Sequence, residues 1–229
     1  MKNYVLIPGA WHGAWAWQPV ATRLRAAGHR ALTLTMPGID DGDPTGVRLT
    51  DAVDHIIDTI RGYDMRDVVL VAHSWGGYPA TGAAHRLPDR IAEVVYFSAV
   101  VPEPGVSQVD ELPAEMGGFV RATIEAEGVV PIGFDALQAV LLPDEPEPVQ
   151  RVIHELLVPH PGHYFTDTLD VPQVTSIGLT ARYVLAERDL ALAKPGAEFA
   201  ARLGLTPTTV PGGHEALLTH PDDVAKALL

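Results

Sequence analysis

A serine hydroxyl becomes a nucleophile only when a base takes its proton, and the base works only when an acid orients it. Ser74 lies in the run Ala72, His73, Ser74, Trp75, Gly76, Gly77, which suits that chemistry. Before it comes an apolar stretch, Val68, Val69, Leu70 and Val71, of the kind that fills a strand buried on both faces. After it, residues 79–86 are Ala-rich and helix-compatible, with Pro79 in the first turn, where a missing N–H costs little. A serine on a tight strand-to-helix turn needs small neighbours so that the backbones can pass. The pattern is the G-x-S-x-G elbow with Ala72 at the first glycine position, a mild replacement. The competing reading is a buried strand that ends in an ordinary helix-capping serine.

The base and the acid should follow in the order carboxylate, then histidine, each in a loop at the carboxyl end of a strand. Asp189 meets that test in the turn Glu187, Arg188, Asp189, directly after an expected strand over residues 181–186. Glu187 and, further off, Glu103 compete for the role, and a solvated turn carboxylate is the bland alternative. His214 follows the last expected strand, over residues 206–210, with Gly212 and Gly213 beside it. Of the ten histidines, only His214 and His220 fall between that strand and the last helix, and His214 is the one close behind the strand.

Attack on an ester carbonyl builds a negative oxygen, best stabilised by fixed backbone N–H groups. One should belong to Trp75, the residue after the nucleophile; the other should come from the loop after the first strand, where Ala10 is the candidate. Trp11, next along, is expected to wall the substrate pocket, whereas the remaining aromatics through Trp17 include core residues.

Metal and cofactor chemistry finds little support. His214, Glu215 and His220, like His154, Glu155 and His160, have the second histidine too far along for the i, i+4 spacing of a zinc helix. Neither glycine-rich nucleotide signature occurs, and there is no cysteine for disulfide, thiolate–metal or thiol-nucleophile chemistry. The expectation is no metal and no cofactor.

These residues need a scaffold that brings distant loops to one edge. Strands are expected at Asn3–Ile7 and over residues 29–35, 68–71, 91–100, 181–186 and 206–210. Helices are expected over 17–27, from an N-cap at Thr50 to Gly62, and over 79–86, 193–203 and 221–228. Strands alternating with helices at this rhythm imply right-handed βαβ units and a parallel sheet. The rhythm fails over residues 102–175, which are proline-rich, hold helix patterns at 111–127, 134–142 and 147–157, and show no strong strand. The expected organisation is an α/β core of residues 1–101 and 176–229, with 102–175 inserted as a lid.

The 229 residues are 47% hydrophobic and 20% charged, ordinary for a globular chain. With 16 basic and 29 acidic residues the net charge is −13, which argues against nucleic acid and anionic membranes as partners. No signal peptide or membrane span is visible, so a cytoplasmic location is expected. The expected partner is a small-molecule ester; a homodimer is one option for an assembly state that the sequence leaves open.

Taken together, PGAWHGAWAWQPV at 8–20, AHSWGG at 72–77, AERD at 186–189 and GGHEALLTHP at 212–221 resemble the α/β-hydrolase family of plant methyl esterases and hydroxynitrile lyases. The resemblance covers residues 3–229 and is weakest over 102–175. It implies an α/β-hydrolase fold: a six-stranded, mostly parallel sheet flanked by helices, with a helical lid after the fourth strand. It also implies a triad of Ser74, Asp189 and His214, with oxyanion N–H groups from Ala10 and Trp75. Two departures matter. Pro8 stands where the family usually has a histidine, so the oxyanion loop must be held another way. The lyases carry a threonine at the Ala10 position and a lysine at the Glu215 position, and a lysine cation would stabilise a leaving cyanide. The chain therefore favours a carboxylic-ester hydrolase for a small or medium apolar ester. Lyase or cyclase chemistry on the same site is the alternative, and a binding protein that retains the fold is a third reading.

Overall fold

A computed structural model describes residues 1–40 and 42–229. Along the core run β1 (Asn3–Ile7), α1 (Gln18–Ala26), β2 (Arg30–Thr33), α2 (Leu49–Gly62), β3 (Val68–Ser74), α3 (Gly77–Arg86) and β4 (Ile91–Ala99). The inserted segment holds α4 (Gln108–Glu111), α5 (Ala114–Glu127), β5 (Val129–Val130), α6 (Phe134–Ala136), α7 (Glu147–Leu156), β6 (His160–Pro161) and α8 (Gly162–Thr166). The core then resumes with β7 (Thr180–Ala186), α9 (Gly196–Arg202), β8 (Thr208–Val210), α10 (Ala216–Thr219) and α11 (Pro221–Leu228).

Six strands form one sheet in the order β2-β1-β3-β4-β7-β8, and all of its pairings are parallel. Both faces are covered, which is why β3 carries apolar residues without alternation. Val68, Leu70 and Ala72 join the core under α2, α3 and α9, with Val53, Ile56 and Phe199. Val69 and Val71 join the opposite core, with Trp17, Leu24, Leu217 and Val224 from α1, α10 and α11. The chain winds outward in one direction from β1 and in the other from β3, so the crevice at their carboxyl ends is where such sheets place ligands.

Several elements depart from expectation for physical reasons. The helix expected from an N-cap at Thr50 starts two residues earlier, with Arg48 as N-cap and Leu49 its first residue. Its first turn is held by acidic side chains: Asp51 accepts from the Arg48 N–H at 2.7 Å and Asp167 from the Leu49 N–H at 3.0 Å. The helix expected over 111–127 is two helices, because Pro113 supplies no N–H and stands with Leu112 in extended backbone between them. The segment that showed no strand holds a two-residue antiparallel pair, Val129 opposite Pro161 and Val130 opposite His160.

The inserted segment is tied to the core at its base. Glu111, 3% exposed, is gripped by Arg202 at 2.7 and 3.0 Å and by Lys194 at 2.6 Å. Burial alone would raise its carboxyl, but Arg202 and Lys194 outweigh burial and hold it below the ordinary glutamate value. No described helix is long and apolar enough to cross a membrane.

Candidate active site

Strand β3 runs through Ser74 itself, three residues beyond the apolar run. The ladder with β4 slips between His73 and Ser74, and Ser74 adopts φ 54°. Left-handed backbone at a non-glycine residue costs on the order of 1–3 kcal/mol and survives only where its surroundings enforce it. Here they do. The Gly76 N–H donates to His73 O at 2.8 Å and the Val100 N–H to Ser74 O at 3.0 Å. A Cβ at Gly76 would lie 2.7 Å from Pro8 O, and one at Gly77 only 1.8 Å from Val100 O. The two glycines let the turn pass beneath its neighbours, as the elbow pattern requires.

Asp189 and His214 meet at the same carboxyl edge. His214 Nδ1 lies 2.9 Å from each carboxylate oxygen of Asp189, and both side chains are 3% exposed. A carboxylate only accepts, so Nδ1 carries the proton and Nε2 is left as the base. Burial would depress the His214 imidazole, but Asp189, with an added effect of Glu215, outweighs burial and raises it above the ordinary histidine value. Burial would likewise raise the Asp189 carboxyl; the charge and hydrogen bond of His214, the Ala191 N–H and Ser98 outweigh that and lower it. The two shifts describe one pair, each partner favouring the charged form of the other.

Ser98 was not singled out by sequence. It is the penultimate residue of β4, at φ 42°, and its Oγ accepts from the Ala186 N–H at 3.1 Å, so it braces the end of the strand that leads to Asp189. A polar residue closing the apolar run of β4 was its only sequence signal. Glu187, the competing carboxylate, has its backbone in the sheet extension to Val210 O at 3.0 Å, and is exposed. Glu103 reaches Arg202 at 3.2 Å instead.

His73, immediately before Ser74, stacks its ring 4.6 Å from that of His214 and lies 3.1 Å from His214 O through Nε2. It is fully buried; burial, then the nearby His214 and His12, push its basicity far down, so it is a neutral donor. No hydrogen bond joins Ser74 to His214 among the described residues. What places them together is the sheet edge and this His73 bridge between their loops.

The loop after β1, where an oxyanion N–H is expected, passes close to the elbow: a Cβ on Gly9 would come within 2.9 Å of Ser74 Cβ. Among the described residues, neither the Ala10 N–H nor the Trp75 N–H donates to a protein acceptor. The loop is held without a histidine at position 8. His12 Nδ1 lies 2.7 Å from Ala10 O. Trp11, at φ 68°, donates its N–H to His160 at 3.2 Å and its indole N–H to Val130 O at 2.8 Å, and its carbonyl accepts from the Val158 N–H at 3.1 Å. The lid's small β5–β6 pair therefore grips the oxyanion loop. Trp11 packs at ring distances of 6.4 Å from His160 and 6.1 Å from Phe165, beneath the lid. Trp75 turns its side chain away into the core, stacking 4.4 Å from Tyr164, with its indole N–H on Tyr164 O at 2.8 Å. Trp17 is core, its N–H on Ile7 O.

Among the described residues, His73, His214 and Glu215 form the one set whose ligand atoms come within 4.8 Å of one another. The Asp189 contact occupies His214 Nδ1 and leaves Nε2 for proton transfer, so an ion held there would consume the base.

The sequence pattern of the alpha/beta hydrolase family matches residues 4–227. A carbendazim-hydrolysing esterase from Nocardioides sp. (strain SG-4G) is 37% identical over 137 residues, 55% of this chain and 57% of that one. Methylesterase 9 of Arabidopsis thaliana is 36% identical over 107 residues, 45% of this chain and 42% of that one. The chain thus spans about half the length of these curated relatives. Among solved structures, an extracellular α/β-hydrolase from a Paenibacillus species superposes with a TM-score of 0.94 at 23% identity, covering 100% of this chain and 98% of that one. An Arabidopsis methylesterase gives a TM-score of 0.79 at 20% identity, covering 100% and 97%. At such identities the likeness is one of fold.

Proposed function

The chain belongs to the alpha/beta hydrolase family, and from that premise we propose that it hydrolyses a small or medium apolar carboxylic ester through Ser74, His214 and Asp189. The observation that carries this reading is the buried Asp189–His214 pair, 2.9 Å on both oxygens, set on the same sheet edge as a serine forced to φ 54°. Relatives named as esterases and methylesterases support the same class of reaction.

Ser74 Oγ attacks the ester carbonyl while His214 Nε2 takes its proton. Asp189 holds the imidazole in the productive tautomer and stabilises its charge. The tetrahedral oxyanion falls to the N–H groups of Ala10 and Trp75, neither committed elsewhere. Collapse expels the alcohol, protonated by His214, and leaves an acyl group on Ser74. Water, activated by the same histidine, releases the acid. Trp11 forms an apolar wall for the acyl or alcohol portion. Glu215, acidic beside the base, offers no cation for a leaving cyanide, which favours hydrolysis over lyase chemistry. The place of action is proposed as the cytoplasm.

The test is hydrolysis of short nitrophenyl esters by the wild type and by Ser74→Ala. The variant is expected to lose roughly 10⁴-fold or more in kcat; equal rates overturn the proposal. A panel of esters of graded acyl length then defines the pocket.

A further inference from the structure

Beside the triad lies a buried polar pair that the reaction does not use. His12 is 2% exposed and Glu215 is 1% exposed, and His12 Nε2 stands 3.5 Å from Glu215 Oε2. His12 Nδ1 contacts Ala10 O at 2.7 Å. A carbonyl only accepts, so Nδ1 bears a hydrogen and a neutral His12 has a bare lone pair on Nε2. His73 follows the same logic: Nε2 serves His214 O, leaving Nδ1 bare. His12 Nε2, His73 Nδ1 and both Glu215 oxygens are all sealed from solvent without a hydrogen-bond partner. Four acceptor atoms thus share one buried region with no donor among them. Leaving such groups unmatched costs the full desolvation penalty. The shortest remedy is a hydrogen between the two atoms already facing each other.

We propose that His12 and Glu215 share one proton across this contact, and that the pair is a positioning element latching the oxyanion loop to the histidine loop. This rests on the ester-hydrolase reading for its catalytic consequence but not for the proton itself. Glu215 directly follows His214, and His12 reaches back to the carbonyl of Ala10, whose N–H faces the oxyanion. The latch therefore joins the base to the oxyanion donor through one buried hydrogen. His73 Nε2 supplies the third link, from the nucleophile strand to His214 O. The charged and titratable groups facing the pair are His73 on β3, His214 beside Glu215 and His160 on β6, which faces His12.

Two measurements test this on the full chain. The first is the ring nitrogen-15 spectrum of His12 in the resting wild-type protein, which needs no substrate. His12 Nε2 is expected to be displaced from the position of a bare lone pair, and to return to it in Glu215→Leu. A bare-lone-pair signal in the wild type, or one unmoved by Glu215→Leu, overturns the proposal, as does a metal ion found at one equivalent by elemental analysis. The second is kinetic. Glu215→Leu is expected to lose about 10- to 100-fold in kcat with KM changed less than about 3-fold, since an oxyanion donor acts in the transition state. Glu215→Gln, whose amide donates to Nε2, is expected to keep at least about ten times the kcat of Glu215→Leu. Equal losses in both variants, or a loss entirely in KM, overturn the latch. Should Ser74→Ala retain full turnover, the ester-hydrolase reading fails while the nitrogen signal still decides the shared proton.

Discussion

At the elbow, a Cβ on Gly77 would sit 1.8 Å from Val100 O and one on Gly76 2.7 Å from Pro8 O; in the lid, a Cβ at Gly105, Gly118 or Gly133 would meet nothing within 4 Å. The lid's crowded glycines, Gly128 and Gly162, lie instead where it meets the core and its own short strands. The strands of the rim are sealed on both faces, whereas the lid leaves Phe119 73%, Met116 54% and Val152 58% exposed. Core strands pair over three to seven positions, as in β7 with β8 and β3 with β4, and the lid's pair over two. The lid is tight where it meets the core: at Glu111, at Asp167 on Arg48 and Leu49, at Gly128, where a Cβ would lie 2.6 Å from Thr45 Cγ2, and along Val130, Val158 and His160, where it holds Trp11. Its outer face is loose, and its fit is concentrated on the side turned to Ser74, Asp189 and His214.

That contrast can be broken at several points. Asp189→Asn should do most, lowering kcat by about 10⁴-fold because the imidazole loses its tautomer and its counter-charge; a loss below tenfold would detach Asp189 from the chemistry. In the wild type, kcat/KM should fall as pH drops through the His214 value, which lies above 6.5, because imidazolium cannot accept the serine proton. A rate still level well below pH 6.5 contradicts the raised basicity. Gly77→Ala comes next, with about 3 kcal/mol or more of stability lost in urea unfolding, since a backbone carbonyl at 1.8 Å must move. An unchanged midpoint would mean the turn is looser than its geometry. His160→Phe removes the acceptor for the Trp11 N–H and should cost about tenfold in kcat through a displaced oxyanion loop; no change would reduce the lid to a passive cover. Phe119→Ser, on the exposed lid face, should change stability by no more than about 0.5 kcal/mol, and a larger loss would place Phe119 in a packed contact.

Much of the rim was legible because its rules are local. Four apolar residues in a row, a small-residue turn and an Ala-rich helix specify an elbow without reference to anything distant. Asp189 and His214 were found by chain order, each directly after a strand, and the structure brings the two together. Ser98 was not, because a hydroxyl at the end of an apolar strand carries no pattern; only the neighbouring strand gives it a role. The lid resisted for the opposite reason. Its two-residue strands are too short to show periodicity, Pro113 divides what reads as one helix, and its partners are the backbone and indole of Trp11, far away in sequence. The start of α2 was misjudged because Asp51 and Asp167 supply the acceptors that Thr50 was expected to provide. Pro8 posed a question that the sequence did not answer: the loop is fastened through His12 and through the backbone of Trp11.

The fastening of Trp11 also sets where this protein can be recombined. Its attachments reach residues 130, 158 and 160, and none reaches the intervening stretch 131–157. That stretch leans instead on the loops of Asp189 and His214: Asp144 pairs with Arg188 at 2.9 Å, and Leu137, Leu141 and Leu142 pack with Ala191. Splicing in loops of other length or shape between 130 and 158 would therefore spare the Trp11 side of the cleft while unseating the turn that carries Asp189.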